Sequence, residues 1–301
     1  PKQFLAQLDN FYSCGNYGDP AFANDCLEIY SYVRECNSTV RLAIHTNGGM
    51  RNPAWWTKLA QYNIEIIFAV DGFKGKHELY RKNTKFDKVI ENLKAYCAAG
   101  GNARVDSLVF AHNEHEVDEL EKYLLDLGVQ SVNFVSTTRF YEMKEFEVQD
   151  NNGNVEYTLK PAQTEKFKRT PNKSLNTLTD ETARNIAIDA VIIEPKCVTE
   201  QGIYVDPYGD IFPCCWFGGD YLEQPIEEKL PIHYLRNLSV ENTKQVLKEV
   251  GVPNCQEGVL DSTINLFKKL PEFWQGKNKC LTCARQCSKL VYDDNNKYSV
   301  G

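Results

Sequence analysis

The chain has 301 residues, of which 42% are hydrophobic and 25% charged, and a formal net charge of −7 at pH 7. That is ordinary for a globular protein with one large domain and a small appendage. The acidic balance argues against a nucleic-acid surface, and no apolar run approaches the roughly 18 residues of a membrane span; no signal-peptide pattern opens the chain, so a cytoplasmic location is expected.

In chain order, Phe4 to Phe11 leads into a short strand ending near Cys14, and the glycine-rich turn CGNYGDP follows, from Cys14 to Pro20. Asn24 to Glu35 carries helical apolar spacing at Leu27, Ile29, Tyr30 and Val33. Val40 to His45 is an apolar run of strand length closed by Thr46-Asn47-Gly48-Gly49, and Pro53 to Tyr62 is helical with Pro53 in its first turn. Ile64 to Val70 reads as a buried strand closed by Asp71-Gly72, and Phe86 to Ala99 as a helix ended by Gly100-Gly101. Ser107 to Ala111 is a predicted strand followed by His112-Asn113-Glu114, His115 to Leu127 a helix, and Val129 to Ser136 a strand.

Apolar strands alternating with helices predict an α/β fold with a covered parallel sheet. Polar motifs follow the strand C-termini in turn: Gly18-Asp19, Thr46-Asn47, Asp71, Asn113 and Thr137-Thr138-Arg139. In parallel sheets that edge is where sites are built. Beyond it, EFEVQDNNGNVEYTLKP predicts a hairpin around Asn151-Asn152-Gly153, and a Lys-, Thr- and Asn-rich linker or flap follows. A second hairpin is predicted to turn at Asp206-Pro207-Tyr208-Gly209, in a region from Cys197 onward that otherwise reads as irregular, with helical patterns at Val240 to Val250 and Leu260 to Lys269.

Eleven cysteines, an odd number, suggest metal ligands more than disulfides. Sixteen residues separate Cys197 from Cys214, two separate Cys280 from Cys283 and three separate Cys283 from Cys287. A Cys-x-x-Cys pair can place two thiolates on one metal, and distant cysteines can complete a four-thiolate site. On the residues alone that site is open between zinc and an iron–sulfur cluster, and Cys215 between a spare thiol and a ligand.

Together, CGNYGDP, IHTNGG, FAVDG with HELYRKNTKFDKVIENL, FAHNEHE and the run from Cys197 to Cys287 resemble the radical S-adenosylmethionine enzymes that carry a C-terminal twitch or SPASM auxiliary-cluster domain. The resemblance covers nearly the whole chain. It implies a partial (β/α)6-type TIM barrel over residues 1–143, a linker or flap over 144–195 and an auxiliary iron–sulfur domain over 196–301. It also implies a 5′-deoxyadenosyl radical that abstracts hydrogen from a peptide or protein substrate, and an electron donor such as flavodoxin or ferredoxin. Gly15, Gly18 and Asp19 would meet the amino group of S-adenosylmethionine, and Thr46, Asn47, Asp71 and Asn113 its remaining polar groups. An auxiliary [4Fe-4S] cluster would be held by Cys197, Cys214, Cys280 and Cys283, with Cys287 as a rival ligand. The Cys-x-x-x-Cys-x-x-Cys run that binds the second, catalytic [4Fe-4S] cluster of the family is absent from this sequence. The chain opens at Pro1 without a Met, so that segment is expected to precede it, and this chain alone is expected to be inactive.

Plainer readings stand beside these. The strand-end motifs are also common turns and N-caps. Cys14, Cys26, Cys36 and Cys97 read as small apolar residues. His45 reads as core or hydrogen-bonded, and Arg81 and Arg139 as salt-bridge partners. Two other functions compete: a non-catalytic binding module with a structural zinc or iron–sulfur site, and an α/β enzyme using Asp19, Asp71 and His45 in acid–base chemistry.

Overall fold

The computed structural model describes residues 2–137, 140, 145–168, 191–222, 231–255, 259–275 and 279–289. Thr138, Arg139 and residues 144 and 169–190 of the expected linker lie outside them. The chain divides into two compact units, Pro1–Arg169 and Thr170–Gly301, so the division falls inside the segment read as a linker and leaves the first hairpin with the first unit.

The first unit begins with helical turn α1 (Lys2–Leu5) and strand β1 (Asn10–Ser13). Then follow α2 (Cys26–Cys36), β2 (Arg41–Thr46), α3 (Pro53–Ala60), β3 (Ile64–Ala69), α4 (His77–Tyr80), α5 (Phe86–Ala98), β4 (Asn102–Val109), α6 (Val117–Asp126) and β5 (Ser131–Ser136). The five strands form one parallel sheet in the order β1-β2-β3-β4-β5, each strand beside its predecessor in sequence. Three elements depart from the sequence reading. Residues 2–5 are helical where the lead into a strand was expected. The His77–Tyr80 turn, too short to show a period, was not predicted. The fourth strand starts at Asn102 rather than Ser107, because Asn102, Arg104 and Asp106 interrupt the apolar run while remaining in register with Glu65, Ile67 and Ala69.

The core lies where the helices cover one face of the sheet. Leu42, Ile44, Ile64, Ile66, Phe68, Ala103 and Val105 are buried there, at alternate positions of their strands. Trp56 of α3, Phe68 of β3 and Tyr96 of α5 meet in an aromatic cluster, with ring centroids 5.1 Å apart for Trp56–Phe68 and 6.4 Å for Trp56–Tyr96. The polar atoms of this cluster are satisfied: Trp56 Nε1 donates to Met50 O at 3.0 Å and the Tyr96 hydroxyl donates to Ile64 O. α3 is started by Asn52, whose Oδ1 accepts from Trp55 N at 3.0 Å, with Pro53 next. At the opposite edge of the sheet from the strand C-termini, Arg34 donates to four carbonyls, those of Ser38, Val40, Tyr62 and Asn63.

The predicted hairpin is strands β6 (Phe146–Gln149) and β7 (Val155–Leu159), antiparallel. Its turn is fixed by Asp150, whose Oδ1 accepts from Asn152 N and Asn154 N, and by Gly153 at φ +85°. Tyr157 donates its hydroxyl to Leu79 O at 2.7 Å, which ties the hairpin to α4.

In the second unit, β8 (Ile192–Ile193) is followed by α7 (Lys196–Thr199), and β9 (Tyr204–Val205) pairs antiparallel with β10 (Ile211–Phe212). The turn between them is the predicted one. Asp206 Oδ1 accepts from Tyr208 N and Asp210 N, and Gly209 takes φ +84°. Helices α8 (Cys215–Leu222), α9 (Pro231–Val250), α10 (Val259–Lys269) and α11 (Leu281–Cys287) give this unit more regular structure than its sequence suggested. Strand β11 (Ser288–Lys289) returns to pair with β8.

Candidate functional site

Two side-chain constellations, one in each unit, contain the residues singled out by sequence.

In the first unit Asp19 gathers the ends of β1 and β2. Its Oδ1 accepts from Ala21 N at 3.0 Å, the Thr46 hydroxyl bridges Oδ1 and Oδ2 at 2.8 and 2.9 Å, and Asn47 N donates to Oδ2 at 2.6 Å. Thr46 Oγ1 also accepts from Gly48 N, and Asn47 Oδ1 from Gly49 N at 2.8 Å. Thr46 itself is buried and Asn47 half-buried. Gly15 and Gly18 lie in the same turn at φ +73° and +134°, and around Gly18 an added Cβ would meet nothing within 4 Å. The structure therefore brings Gly15, Gly18, Asp19, Thr46 and Asn47 into one strand-end assembly.

Asp71 and Asn113 form the neighbouring assembly, and both face inward. Asp71 is 0% exposed. Its Oδ2 accepts from Arg81 Nε at 2.5 Å and its Oδ1 from Leu108 N at 2.6 Å. Burial pushes its carboxyl up, against the pull of Arg81 and the Leu108 N–H. Asn113 donates to Asp71 O and Leu108 O and accepts from Phe110 N, stapling the β3 and β4 ends together. His77 completes this knot: its Nδ1 accepts from Asp71 N at 3.1 Å, while its buried Nε2 has no hydrogen-bond partner.

Burial, helped by Arg81, lowers the His77 pKa to about 4, against the raising influence of Glu78. Its unfolded value is near 6.5. Between those values the unfolded chain binds the extra proton, so stability falls as pH drops from about 6.5 through 4, by at most about 1.4 kcal/mol per pH unit. His77→Gln is expected to flatten the urea-midpoint profile across that window; equal slopes in parent and variant would refute the assignment.

His45 was singled out by sequence, but the polar residues beside it were missed. On the face of the sheet opposite the apolar core, His45, Glu65, Arg104, Asp106 and Asn133 are adjacent. Arg104 pairs with Glu65 at 2.9 Å, Asn133 donates to Asp106 at 3.2 Å, and Tyr12 Oη stands 3.4 Å from His45 Nδ1. Burial lowers the His45 pKa, and Asp106, Arg81, Asp19 and Asp71 all act on it, so this imidazole stands amid both strand-end assemblies. The signal was available: Glu65 in I-E-I and Arg104 and Asp106 in A-R-V-D-S mark the period-two alternation of strands with one polar face.

In the second unit the cysteines converge. Cys280 and Cys283 are buried in the core, and Cys214 and Cys287 pack against it. Cys280 Sγ caps α11 by accepting from Cys283 N at 3.5 Å. The Cys197 thiol is pushed up to about 11 by burial, then by Cys287 and Cys280. The Cys214 thiol is pushed up to about 12 by burial, with Cys215 and Cys197 adding to the rise. The Cys283 thiol is raised well above its usual range by its hydrogen bond with Cys280, by burial, and by the Cys280 and Cys214 sulfurs. Each thiol thus lies within electrostatic reach of others from distant parts of the chain. As they stand they form successive pairs rather than a closed set: among the described residues no group of three or more His, Cys, Asp or Glu side chains is arranged to hold a metal ion. Their chemistry fits a soft cation or an iron–sulfur cluster, which would ionise the thiols that burial now keeps neutral. A polar seam supports α11 from behind: the Thr282 hydroxyl, 2.9 Å from that of Thr243, bonds to Asp220, and Leu281 N donates to Asn242 at 2.8 Å.

Among the described residues no helix is long and apolar enough to cross a membrane. No protein-family model and no curated protein matches the chain. Among solved structures it is similar to Streptococcus suis SuiB bound to S-adenosylmethionine, at 14% identity and a TM-score of 0.41, over 71% of this chain and 51% of that one. It is also similar to anSMEcpe with bound AdoMet, at 14% identity and a TM-score of 0.44, over 90% of this chain and 85% of that one. The same protein with AdoMet and the Kp18Cys peptide gives 14% identity and a TM-score of 0.41, over 90% and 86%. The chain spans about half the length of SuiB.

Proposed function

We propose that this chain is part of a radical S-adenosylmethionine enzyme that modifies a peptide or protein, with an auxiliary [4Fe-4S] cluster in its second unit and reduction by a flavodoxin- or ferredoxin-like donor. The observation that supports this reading is the gathering of Cys214, Cys280, Cys283 and Cys287 at one apolar core, with Cys197 within electrostatic reach of Cys287 and Cys280. Cys197, Cys214, Cys280 and Cys283 would be the ligands, with Cys287 the rival for the Cys197 place.

In the first unit Asp19 would meet an ammonium group, and the open space around Gly18 lets a ligand approach it. Thr46 and Asn47 hold that carboxylate in place. Asp71 and Asn113, sealed from solvent, act as positioning residues that keep the β3 and β4 ends together. S-adenosylmethionine and a catalytic cluster, when bound, supply the radical chemistry itself.

A second reading, a non-catalytic module with a structural metal, is favoured by one observation: the carboxylates of Asp19 and Asp71 are largely engaged by internal donors.

The test is anaerobic reconstitution of the chain with ferrous iron and sulfide. About four irons and four sulfides per chain are expected, lost in Cys280→Ala/Cys283→Ala. Zinc retained without sulfide would remove the electron-transfer role. Calorimetry with S-adenosylmethionine on the reconstituted full-length protein, with the segment expected to precede Pro1, separates the two readings, and an absence of binding there selects the module.

A further inference from the structure

The chain carries 41 acidic residues among 301, yet none lies between Glu35 and Glu65, a stretch that includes Arg41, Arg51 and Lys58. Part of that stretch forms a concavity of about 470 Å³ lined by Arg51, Asn52, Ala54, Trp55 and Lys58. Ligand sites commonly have volumes of this order. Its wall is chemically one-sided. The Arg51 guanidinium lies over the Trp55 ring, 5.5 Å from the centroid. Arg51 Nε donates to Ala21 O at 2.7 Å, and Nη2 to Phe22 O and Ala23 O at 3.2 and 2.8 Å, which fixes the group in place. Asn52 Oδ1 is taken by Trp55 N, so the rest of that amide is a donor. Among the described residues no acceptor meets Arg51 Nη1, Asn52 Nδ2, Trp55 Nε1 or Lys58 Nζ.

A wall of donors around an aromatic ring, with no carboxylate in it, suits a ligand made of acceptors. Nucleosides and sugars bring hydroxyl donors that this wall cannot meet, whereas an ionised carboxylate brings none. Asn52, Ala54 and Lys58 are exposed, so a backbone lying across the rim keeps its own amides in water. The concavity also borders the Asp19 assembly: Ala21 accepts from Arg51 through its carbonyl and donates to Asp19 through its N–H.

We infer that this concavity docks an acidic segment of the peptide or protein substrate, with Arg51 and Lys58 meeting its carboxylates and the Trp55 ring their apolar stems. The inference rests on the peptide-modifying reading given above and narrows its substrate class. On a chain of net charge −7 an acidic peptide is repelled at long range by most of the surface, so a face of local positive charge sets where it lands. A segment held there lies beside the strand-end assembly that would hold S-adenosylmethionine.

The probe is a hexaglutamate peptide, labelled with fluorescein and amidated at its C-terminus, added to the full chain and followed by fluorescence anisotropy. It is expected to bind the parent more weakly as salt rises, and a hexaglutamine peptide is expected not to bind. Lys58→Glu is expected to weaken binding about tenfold, since an attraction becomes a repulsion. Lys58 is exposed and bonds nothing in the fold, so this variant leaves the packing of α3 intact. Lys122→Glu makes the same charge change at an exposed position of α6 and is expected to leave the affinity unchanged. Equal weakening in the two variants would show that net charge alone governs binding and would overturn the site. So would a parent that binds neither peptide, or binds both alike. Pyrophosphate that displaces the probe at a lower concentration than unlabelled hexaglutamate does would make this a small-anion site and overturn the peptide assignment. Iron and sulfide uptake, measured on the same preparation, separates the inference from the reading beneath it. Uptake without peptide binding overturns the docking site and leaves the enzyme reading standing. Peptide binding without uptake overturns the enzyme reading, and the substrate role falls with it.

Discussion

Replacing Asp71 with alanine is expected to lower the stability of the first unit by about 3 kcal/mol. The carboxylate is fully buried and joins Arg81 Nε to Leu108 N, so its removal strands a guanidinium and a backbone N–H together. Breaking a buried ion pair from one side costs about 3–5 kcal/mol. The low end applies because the Arg81 side chain keeps 23% of its surface and can reach water. Asp71→Asn restores an acceptor for Leu108 N but no charge, and is expected to recover about 1 kcal/mol of the loss. Native-state hydrogen exchange at β3 and β4 amides is the measurement, since it reports on this unit alone. Equal protection in Asp71→Ala and the parent would show that Asp71 does not hold the strand ends.

The second large effect belongs to Trp56. Its ring is completely buried against Trp55, Phe68 and Tyr96, and its N–H is satisfied by Met50 O. Trp56→Ala removes the largest side chain from a close-packed centre and orphans a carbonyl, with an expected loss of about 4 kcal/mol from the usual 3–5 kcal/mol range. Trp56→Phe retains the ring contacts and should lose less than half of that. The same exchange protection reads both, and an alanine variant within about 1 kcal/mol of the parent would mean that α3 is not anchored through this ring.

Much of the first unit was legible in its sequence because its strands and helices carry different periods. β2 and β3 are apolar runs of strand length, and α3, α5 and α6 show helical spacing between clear stops. β4 was legible only in its second half, since Asn102, Arg104 and Asp106 resemble a loop until their pairing with β3 is known. The strand-end motifs also declared themselves, but their partners did not. Thr46 reaches Asp19 across 27 positions and Leu108 reaches Asp71 across 37, and no local pattern encodes such a bond. Hence Asp71 reads as a ligand-facing acid in sequence and stands as a buried tie in the fold. The polar residues beside His45 on that face, Glu65 and Arg104, went unread because each is a single polar residue between apolar neighbours. The cysteines were legible by spacing alone. That Cys197 comes within electrostatic reach of Cys287, and Cys214 of Cys283, depends on how α7, α8 and α11 pack, which spacing does not contain.

The sheet order β1-β2-β3-β4-β5 bears on how the protein is made. Every strand pairs with the one synthesised immediately before it, across a single crossover. No strand has to wait for a partner still inside the ribosome, and the loop closed at each step is one helix and its turns. Short closures are the least costly in chain entropy and the fastest to form. The first unit can therefore grow by edge addition during translation, each new strand docking on a template already in place. The second unit has the opposite character: β8 pairs with β11, and Cys197 meets Cys287, only after almost the whole unit has emerged. Its assembly is a late, all-at-once event. A ribosome pausing shortly before Cys280 would leave a folded sheet tethered to an apolar, thiol-bearing segment with nothing yet to close upon.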